Sequence, residues 1–236
     1  HVHDQQAEII HSQMHHPYDY TNLSYIKRHF NTYSDQSQRW IHCDKSNYIP
    51  HWDNWKSGLL EWGNTINSLA SGIKCASKVN TVSPGYLEEL RHEANGLENL
   101  FEYEKGKCFG ILNGIDTEVW DPETDPYLDE KFGLQNFKEK KYANKKILCD
   151  QFNLDIGKPL IVFIGRLVAE KAADLLPQVI GDSIYYMEGR MNFLVLGSGD
   201  PDVEYRLSHL HTHFFGYYNS HVGYNEKLSH LMYAGA

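Results

Sequence analysis

Two long apolar runs in the second half of the chain show the clearest pattern of hydrophobic positions. "PLIVFIG" (159–165) and "MNFLVLG" (191–197) are nearly continuous hydrophobic segments, and each ends in glycine. Such runs are typical of parallel strands buried on both faces. Helical segments follow both, "AEKAADLLPQVI" after the first and "DVEYRLSHL" after the second. "HVGYNEKLSHLMYAGA" repeats the order of strand and helix, so the pattern predicts a doubly wound α/β sheet.

The middle of the chain has shorter segments with a helical or strand pattern. Apolar residues repeat at helical spacing first, and "KVNTVS" then predicts a short strand. A second helix is predicted to start at Ser83–Pro84, because serine can cap a helix and proline is tolerated in the first turn, where its missing N–H is not needed. "EKKYANKKILCDQF" predicts a helix that ends near Phe152. In "GILNGIDTEVWDPETDP" the Asp-Pro pairs indicate a loop, and Asn113–Gly114 predicts a turn. The helical repeat consists of Ile66, Leu69 and Ile73.

The first fifty residues show neither a helical nor a strand period of apolar positions. They are rich in His, Tyr, Trp, Asn and Ser, as in "HSQMHHPYDY". This composition is typical of long loops that line a polar cleft, where rings stack on ligands and amides donate hydrogen bonds. The alternative is a loosely packed surface region.

Charge and cysteine usage narrow the classes of partner and compartment. The formal net charge of −9 disfavours nucleic acid, which demands a basic surface, and no apolar run approaches the length of a membrane span. The four cysteines form no CxxC pair and favour a reducing compartment, hence a cytoplasmic protein, or a plastid protein if the source is a plant. The chain starts without Met and stops on an uncapped helical pattern, so we expect a piece of a longer protein.

Two cations and two glycine loops are expected at one edge of the predicted sheet. Arg166 and Lys171 follow the first buried strand, where Gly165 permits close backbone approach, and "GSGD" (197–200) follows the second. Ligands of such sheets bind beyond the carboxyl ends of the strands, and helix N-termini there favour anions. The pattern predicts a phosphate or diphosphate site. The alternative is that Arg166 only pairs with a neighbouring aspartate. No GxGxxG motif is present, which disfavours a dinucleotide.

Histidines and tryptophans offer two weaker hypotheses. Alternating histidines near the end, and a His-His pair at 15–16, are candidate metal ligands, but carboxylates at ligand spacing are lacking, so solvated histidines are favoured over metal. Three tryptophans at helical spacing fit a sugar-stacking stripe or, preferably, a packed core. The alternating histidines are His209, His211 and His213, and the tryptophans are Trp52, Trp55 and Trp62.

Five segments together resemble the bacterial glycogen synthases and plant starch synthases: "KVNTVSPGYLEEL", "NGLENLFEYEKGKCFGILNGIDTEVWDPETDP", "FIGRLVAEKAADLL", "LVLGSGDP" and "HVGYNEKLSHLMYAGA". The resemblance runs from about residue 40 to the end. It implies a retaining glycosyltransferase of the GT-B type, with two Rossmann-like domains, here incomplete. It implies transfer of glucose from ADP-glucose to the non-reducing end of an α-1,4-glucan, without a metal or other cofactor.

The resemblance also implies roles for particular residues. Arg166 and Lys171 would neutralise the departing diphosphate, and Asp4 would be the aspartate of the acceptor-side cleft. Asn113 would face the donor sugar at the crossover between an acceptor-side domain, 1–112, and a nucleotide domain, 113–236. The nucleotide-binding positions implied, together with the close-approach glycine of the first loop, are Gly165, Gly197, Gly199, Asp200, Gly223 and Tyr224.

The chain departs from the family in its first forty residues. Gln5–Gln6 follow Asp4 where the family has Trp or His and then His, and the family's loop histidine, expected near Tyr33, has no counterpart. Two terminal glycine loops of the family are missing, so the isolated chain is expected to be inactive. A catalytically silent homologue that binds nucleotide-sugar or glucan, or a related enzyme that uses UDP-glucose, remain the alternatives.

Overall fold

The computed structural model describes residues 2–3, 27, 29–32, 40–42, 61–63 and 65–236. The chain divides into two compact units, residues 1–114 and residues 115–236. The predicted domain boundary at 112/113 stays a prediction. Among the described residues, none of the helices has the length and apolar character that a membrane crossing requires.

In the first unit, the described residues form a parallel four-stranded sheet with the order β1-β2-β6-β7 and an antiparallel three-stranded sheet with the order β3-β5-β4. The strands are β1 (Val2–His3), β2 (His29–Thr32), β3 (Trp40–His42), β4 (Glu61–Trp62), β5 (Thr65–Asn67), β6 (Lys78–Thr81) and β7 (Cys108–Gly110). The helices are α1 (Ser68–Cys75), α2 (Pro84–Glu89) and α3 (Glu98–Tyr103), with a 3₁₀ turn at Lys105–Lys107.

Helix starts in this unit follow the capping chemistry of their sequences. The Ser83 hydroxyl accepts a hydrogen bond from the Tyr86 N–H at 2.9 Å, with Pro84 in the first turn, as predicted. Asn67 caps α1 in the same way, accepting from the Ala70 N–H at 3.1 Å. The predicted helical repeat is therefore wrong at its first member, because Ile66 belongs to β5 and the helix begins at Ser68.

The second unit is a parallel sheet with the order β10-β9-β8, flanked by helices. Its strands are β8 (Leu160–Ile164), β9 (Asn192–Gly197) and β10 (Tyr218–Val222). Its helices are α4 (Phe137–Phe152), α5 (Leu176–Tyr186), α6 (Pro201–Leu210) and α7 (Glu226–Gly235). The two apolar runs are parallel neighbours, as predicted, with Ile161 opposite Phe193. The end of α4 at Phe152 is also confirmed.

β9 explains why this unit has core on both sides of its sheet. All six of its residues are buried. Phe193 and Val195 pack into a cluster with α5 and α6, whereas Leu194 and Leu196 pack into another with α4 and α7. β8 differs from the prediction of burial on both faces, because it is an edge strand of the described sheet and Ile161 is 44% exposed.

Two further local predictions are wrong. The segment after β8 forms 3₁₀ turns at Ala169–Lys171 and Ala173–Leu175, and α5 begins only at Leu176, because Ala172 takes a left-handed conformation with φ of 52° that interrupts the helix. Asn113–Gly114 forms no turn. The turn follows at residues 117–120, where the Asp116 carboxylate accepts from the Glu118 and Val119 N–H groups at 3.0 and 3.1 Å.

Candidate active site

A pocket of about 260 Å³ lies in the second unit at the carboxyl ends of the three parallel strands. This volume is close to the lower end of the range typical of small-molecule sites, about 300 Å³. Each strand contributes the residues that follow it, as expected for an α/β sheet. The lining residues are Ile164, Gly165, Arg166, Leu196, Gly197, Ser198, Gly223, Tyr224, Asn225 and Ser229.

Two glycines allow the first two loops to run side by side at van der Waals distance. A Cβ on Gly197 would lie 2.1 Å from the Gly165 carbonyl oxygen, and one on Gly199 would lie 2.4 Å from the Leu167 carbonyl oxygen. Backbone hydrogen bonds use this closeness: the Leu167 N–H donates to the Ser198 carbonyl at 2.8 Å. Gly197 and Gly199 are therefore required by the backbone itself, whether or not a ligand binds.

Arg166 supplies the cationic side chain among the residues that line the pocket. Its guanidinium forms an ion pair with the Glu170 carboxylate four residues on, and both side chains are more than half exposed. The alternative interpretation of Arg166, pairing with a neighbouring acid, is thus observed, but the partner is a glutamate. The exposed pair leaves the guanidinium accessible from the pocket.

Lys171 is not among the residues that line the pocket. It ends the 3₁₀ turn Ala169–Lys171 and is exposed, and among the described residues its ammonium group forms no ion pair. The structure therefore brings Arg166 to the pocket and leaves Lys171 on the neighbouring turn. The predicted role of Lys171 stays a prediction.

The residues of the "GSGD" loop have two different roles: some line the pocket and others support the backbone around it. Gly197 and Ser198 line the pocket, whereas Gly199 and Asp200 do not. The Asp200 carboxylate caps α6, accepting from the Asp202 N–H at 2.8 Å and the Val203 N–H at 3.4 Å. This capping gives Asp200 a structural role, since its negative charge offsets the positive end of the α6 dipole.

The third loop brings two predicted residues to the pocket, Gly223 and Tyr224. Gly223 has φ of 131°, a conformation that L side chains rarely adopt. Tyr224 is 84% exposed, and its hydroxyl donates to the Glu226 carboxylate at 3.2 Å. The negative charge of Glu226 raises the pKa of Tyr224 above its usual value, so the phenol stays neutral at physiological pH.

Asn225 and Ser229 also line the pocket, although sequence reasoning did not select them. Asn225 caps α7, accepting from the Leu228 N–H at 2.9 Å, and the Ser229 hydroxyl donates to the Glu226 carbonyl at 2.7 Å. A signal did exist: Asn225 follows a glycine loop and precedes an apolar helical pattern, which is the signature of an N-cap.

Asn113 is not among the residues that line this pocket. Asn113 is exposed and belongs to the first compact unit. Asp4 lies outside the described residues, as do Gln5, Gln6 and Tyr33, where the chain departs from the resembled family. Their predicted roles at the acceptor side stay predictions.

The histidine and tryptophan hypotheses are resolved only in part. His209, His211 and His213 do not share a strand, because His209 lies in α6 and the other two follow it in a turn. The described residues contain no group of three or more His, Cys, Asp or Glu placed to hold a metal ion. Trp62 lies in β4 and packs against the core, with the Lys74 ammonium 4.6 Å from its ring centre. His15, His16, Trp52 and Trp55 lie outside the described residues.

Comparison with known proteins identifies the relatives of this chain. Residues 1–103 match the family described as starch synthase catalytic domain. A glycogen synthase of Flavobacterium johnsoniae is 44% identical over 234 residues, 99% of this chain and 50% of that protein. The chain belongs to the family of glycogen and starch synthases. A glycogen synthase of Cereibacter sphaeroides is 36% identical over 178 residues, 75% of this chain and 36% of that protein.

A solved structure extends this comparison to the fold. The catalytic domain of starch synthase IV from Arabidopsis thaliana, bound to ADP and acarbose, superposes with a TM-score of 0.82 at 27% identity. The match covers 99% of this chain and 49% of that one. The predicted α/β fold of the GT-B type is confirmed. This chain spans about half the length of the Flavobacterium johnsoniae glycogen synthase.

Proposed function

We propose that the protein is a glycosyltransferase that moves glucose from ADP-glucose to the non-reducing end of an α-1,4-glucan. The observation that carries this proposal is the Arg166 pocket at the carboxyl ends of three parallel strands, in a chain that is 44% identical to a glycogen synthase. A related starch synthase was solved with ADP and acarbose, which supports a nucleotide donor and a glucan acceptor for this protein too.

The chemistry needs positive charge that is fixed before the reaction. Breaking the bond between glucose and the diphosphate transfers negative charge to the leaving group, and preorganised cations stabilise that charge as it develops. Arg166 is placed to do this from the pocket wall, and we assign the same task to Lys171 on the adjoining turn. Asn225 caps α7 with a neutral side chain, and the backbone N–H groups at the start of this helix lie at the same pocket.

The remaining site residues take supporting roles in this proposal. Gly165, Gly197 and Gly223 let the backbone approach the nucleotide, and Tyr224 offers an exposed neutral ring to the base. Gly199 and Asp200 shape the second loop. Asp4 and Asn113 are assigned to the acceptor and sugar side, and the cytoplasmic location expected from the cysteines stays a prediction.

We also propose that the reaction retains the anomeric configuration and needs no metal or other cofactor. Fixed cations would then supply the charge stabilisation that Mg²⁺ gives in other enzymes that release diphosphates. Transfer should therefore proceed equally with and without a chelator of divalent cations, and the product linkage should be α by proton NMR. A strict requirement for added Mg²⁺ would refute the metal-independent part of the proposal.

The deciding experiment assays the full-length protein with glycogen and radiolabelled sugar nucleotides. ADP-glucose should label the polymer, with UDP-glucose as the matched comparison donor. Labelling from UDP-glucose alone would assign the enzyme to the other donor. Tight binding of ADP-glucose with no label in the polymer would instead favour a catalytically silent homologue.

A further inference from the structure

A buried pair of ionisable residues lies in the second unit, outside the pocket lining. The His230 Nδ1 atom lies 2.6 Å from Asp125 Oδ2, although the two residues are 105 positions apart in the chain. His230 is 2% exposed and Asp125 is 3% exposed. Asp125 belongs to the loop that precedes α4, whereas His230 lies in the middle of α7. The pair therefore joins this loop to the helix at the pocket.

Aromatic rings complete the junction. The Trp120 ring stacks on the His230 imidazole, with centroids 3.8 Å apart and planes 8° apart, and Tyr127 meets the imidazole by its edge at 4.9 Å. Asp125 holds Tyr127 through its other oxygen, which accepts from the Tyr127 N–H at 2.8 Å. The segment 120–127 thus contacts the imidazole from two sides as well as through the hydrogen bond.

The pair is maintained at an energetic cost. An ionised carboxylate only accepts hydrogen bonds, so His230 donates through Nδ1. The second ring nitrogen, Nε2, is buried and has no hydrogen-bond partner among the described residues. Leaving a buried polar atom unpaired is unfavourable. A buried leucine in place of His230 would avoid that cost. The presence of the pair therefore indicates that the orientation given by its hydrogen bond is needed.

The orientation matters because α7 carries part of the pocket. Asn225 begins this helix and Ser229 immediately precedes His230, and both line the pocket. A shift of α7 along the loop would therefore displace Asn225, Ser229 and the Tyr224 turn together.

We propose that Asp125 and His230 are positioning residues for the pocket: their hydrogen bond, held between Trp120 and Tyr127, fixes α7 so that Asn225 and Ser229 meet a bound nucleoside diphosphate. This inference rests on the proposed function, because it takes the ligand of the pocket to be the nucleotide of the donor. His230 itself does not line the pocket, so it acts through Ser229 and the helix.

Substitutions in the full-length protein separate positioning from simple stability. His230→Phe keeps a ring between Trp120 and Tyr127 but removes the donor to Asp125, and Asp125→Leu removes the acceptor. ADP titration by calorimetry, well below the unfolding temperature of each variant, should show Kd raised about tenfold in both. In the transfer assay, KM for ADP-glucose should rise more than kcat falls.

Two further variants serve as controls. Asp125→Asn should bind ADP within about threefold of the wild type, because the amide can donate to the other tautomer of His230 while its oxygen still accepts from Tyr127. Leu207→Ala opens a cavity in the other apolar cluster of this unit, which contains neither member of the pair and no residue of α7. It should lower the unfolding temperature and leave the ADP affinity unchanged.

A measurement on the wild type keeps the inference testable if a variant fails to fold. ADP should slow amide hydrogen exchange in residues 120–127 together with α7; protection of α7 alone would overturn the inference. Unchanged ADP affinity in His230→Phe and Asp125→Leu, with lowered unfolding temperatures, would reduce the pair to a structural contact while leaving the proposed function intact. A wild type that does not bind ADP would overturn the proposed function, and the inference with it.

Discussion

Arg166 lies where the first strand of the second unit ends, with an exposed guanidinium and an acidic neighbour four residues away. Two facts about the residue have opposite consequences. Its place in the pocket lining makes it available to an anion, whereas its ion pair with Glu170 must be broken or shared when that anion binds. Since exposed ion pairs contribute only about 0–1 kcal/mol, the pair is a modest competitor for a diphosphate.

Replacing Arg166 by alanine should reduce glucosyl transfer by roughly 10²–10³-fold, the effect of losing one preorganised group that stabilises developing charge. Arg166→Lys should recover only part of this, because a compact ammonium cannot donate two parallel hydrogen bonds. Initial rates with saturating glycogen measure the effect. Arg206→Ala is the matched control, an exposed arginine of α6 with an i,i+4 acidic partner and no place in the pocket. Equal rates in the Arg166→Ala and Arg206→Ala variants would place the diphosphate elsewhere.

Replacing Glu170 by glutamine should strengthen ADP binding, because the amide no longer competes with the diphosphate for the Arg166 guanidinium. The expected gain is about two- to fivefold in Kd, given the small free energy of an exposed pair. The gain should shrink as salt is raised, since screening already weakens the pair. Glu188→Gln, which removes an exposed partner of Arg190 outside the pocket lining, controls for the change in net charge. A weaker ADP complex in Glu170→Gln would show that the carboxylate orients Arg166 rather than competing for it.

Single residues differ in how far the sequence predicted their roles. Gly165, Gly197, Gly223 and Tyr224 line the pocket, and glycine at a strand end is a visible signal because it permits close backbone approach. Nothing in the sequence separates Arg166 from Lys171, because the four residues between them have an irregular backbone and a left-handed Ala172 follows. Ser229 was missed because its place at the pocket depends on how α7 packs, whereas the N-cap signal of Asn225 is visible in the sequence.

At the scale of elements, buried strands were the easiest to predict. β9 is a continuous apolar run because both of its faces are covered, and this requirement is visible in the sequence. The start of α5 was not predicted correctly, because "AEKAADLL" has good helix formers while its backbone breaks at Ala172. The α7 anchor was also unpredictable, since Asp125 and His230 are separated by most of the second unit.

The contact between α4 and α7 depends on a glycine near the end of the chain. A Cβ on Gly235 would lie 2.7 Å from a Leu148 methyl, 2.9 Å from the Lys145 nitrogen and 3.0 Å from the Asn144 carbonyl carbon. Two of these atoms are backbone and cannot rotate away. Gly235→Ala should therefore lower the free energy of unfolding by about 1–3 kcal/mol, despite the better helix propensity of alanine.

Urea unfolding compares this variant with Gly181→Ala. Gly181 also lies in a helix of the second unit, but there a Cβ would meet the Phe214 ring at an ordinary 3.5 Å. Gly181→Ala should be neutral or stabilising by up to about 1 kcal/mol. Similar changes in the two variants would mean that α4 and α7 can separate at little cost.

At the scale of the whole molecule, the chain contains two compact units, and the Arg166 pocket lies in the second. The family resemblance assigns the acceptor to the first unit, through residues that include Asp4, which lies outside the described part. The chain also spans 50% of the length of the Flavobacterium glycogen synthase. The proposed transfer reaction therefore needs more of the cleft than the described residues supply.

The 236-residue chain on its own should bind ADP weakly and synthesise no measurable glucan. Arg166 and the N–H groups at the start of α7 can attract a diphosphate without help from other parts of the protein. Transfer is more demanding, because donor sugar, leaving diphosphate and acceptor hydroxyl must be held together in a cleft that excludes water. Incubation with labelled ADP-glucose and glycogen, beside an ADP titration of the same sample, tests both parts. Label in the polymer would show that these 236 residues already contain a complete active site, whereas ADP binding as tight as in the full-length protein would show that the nucleotide site needs nothing beyond them.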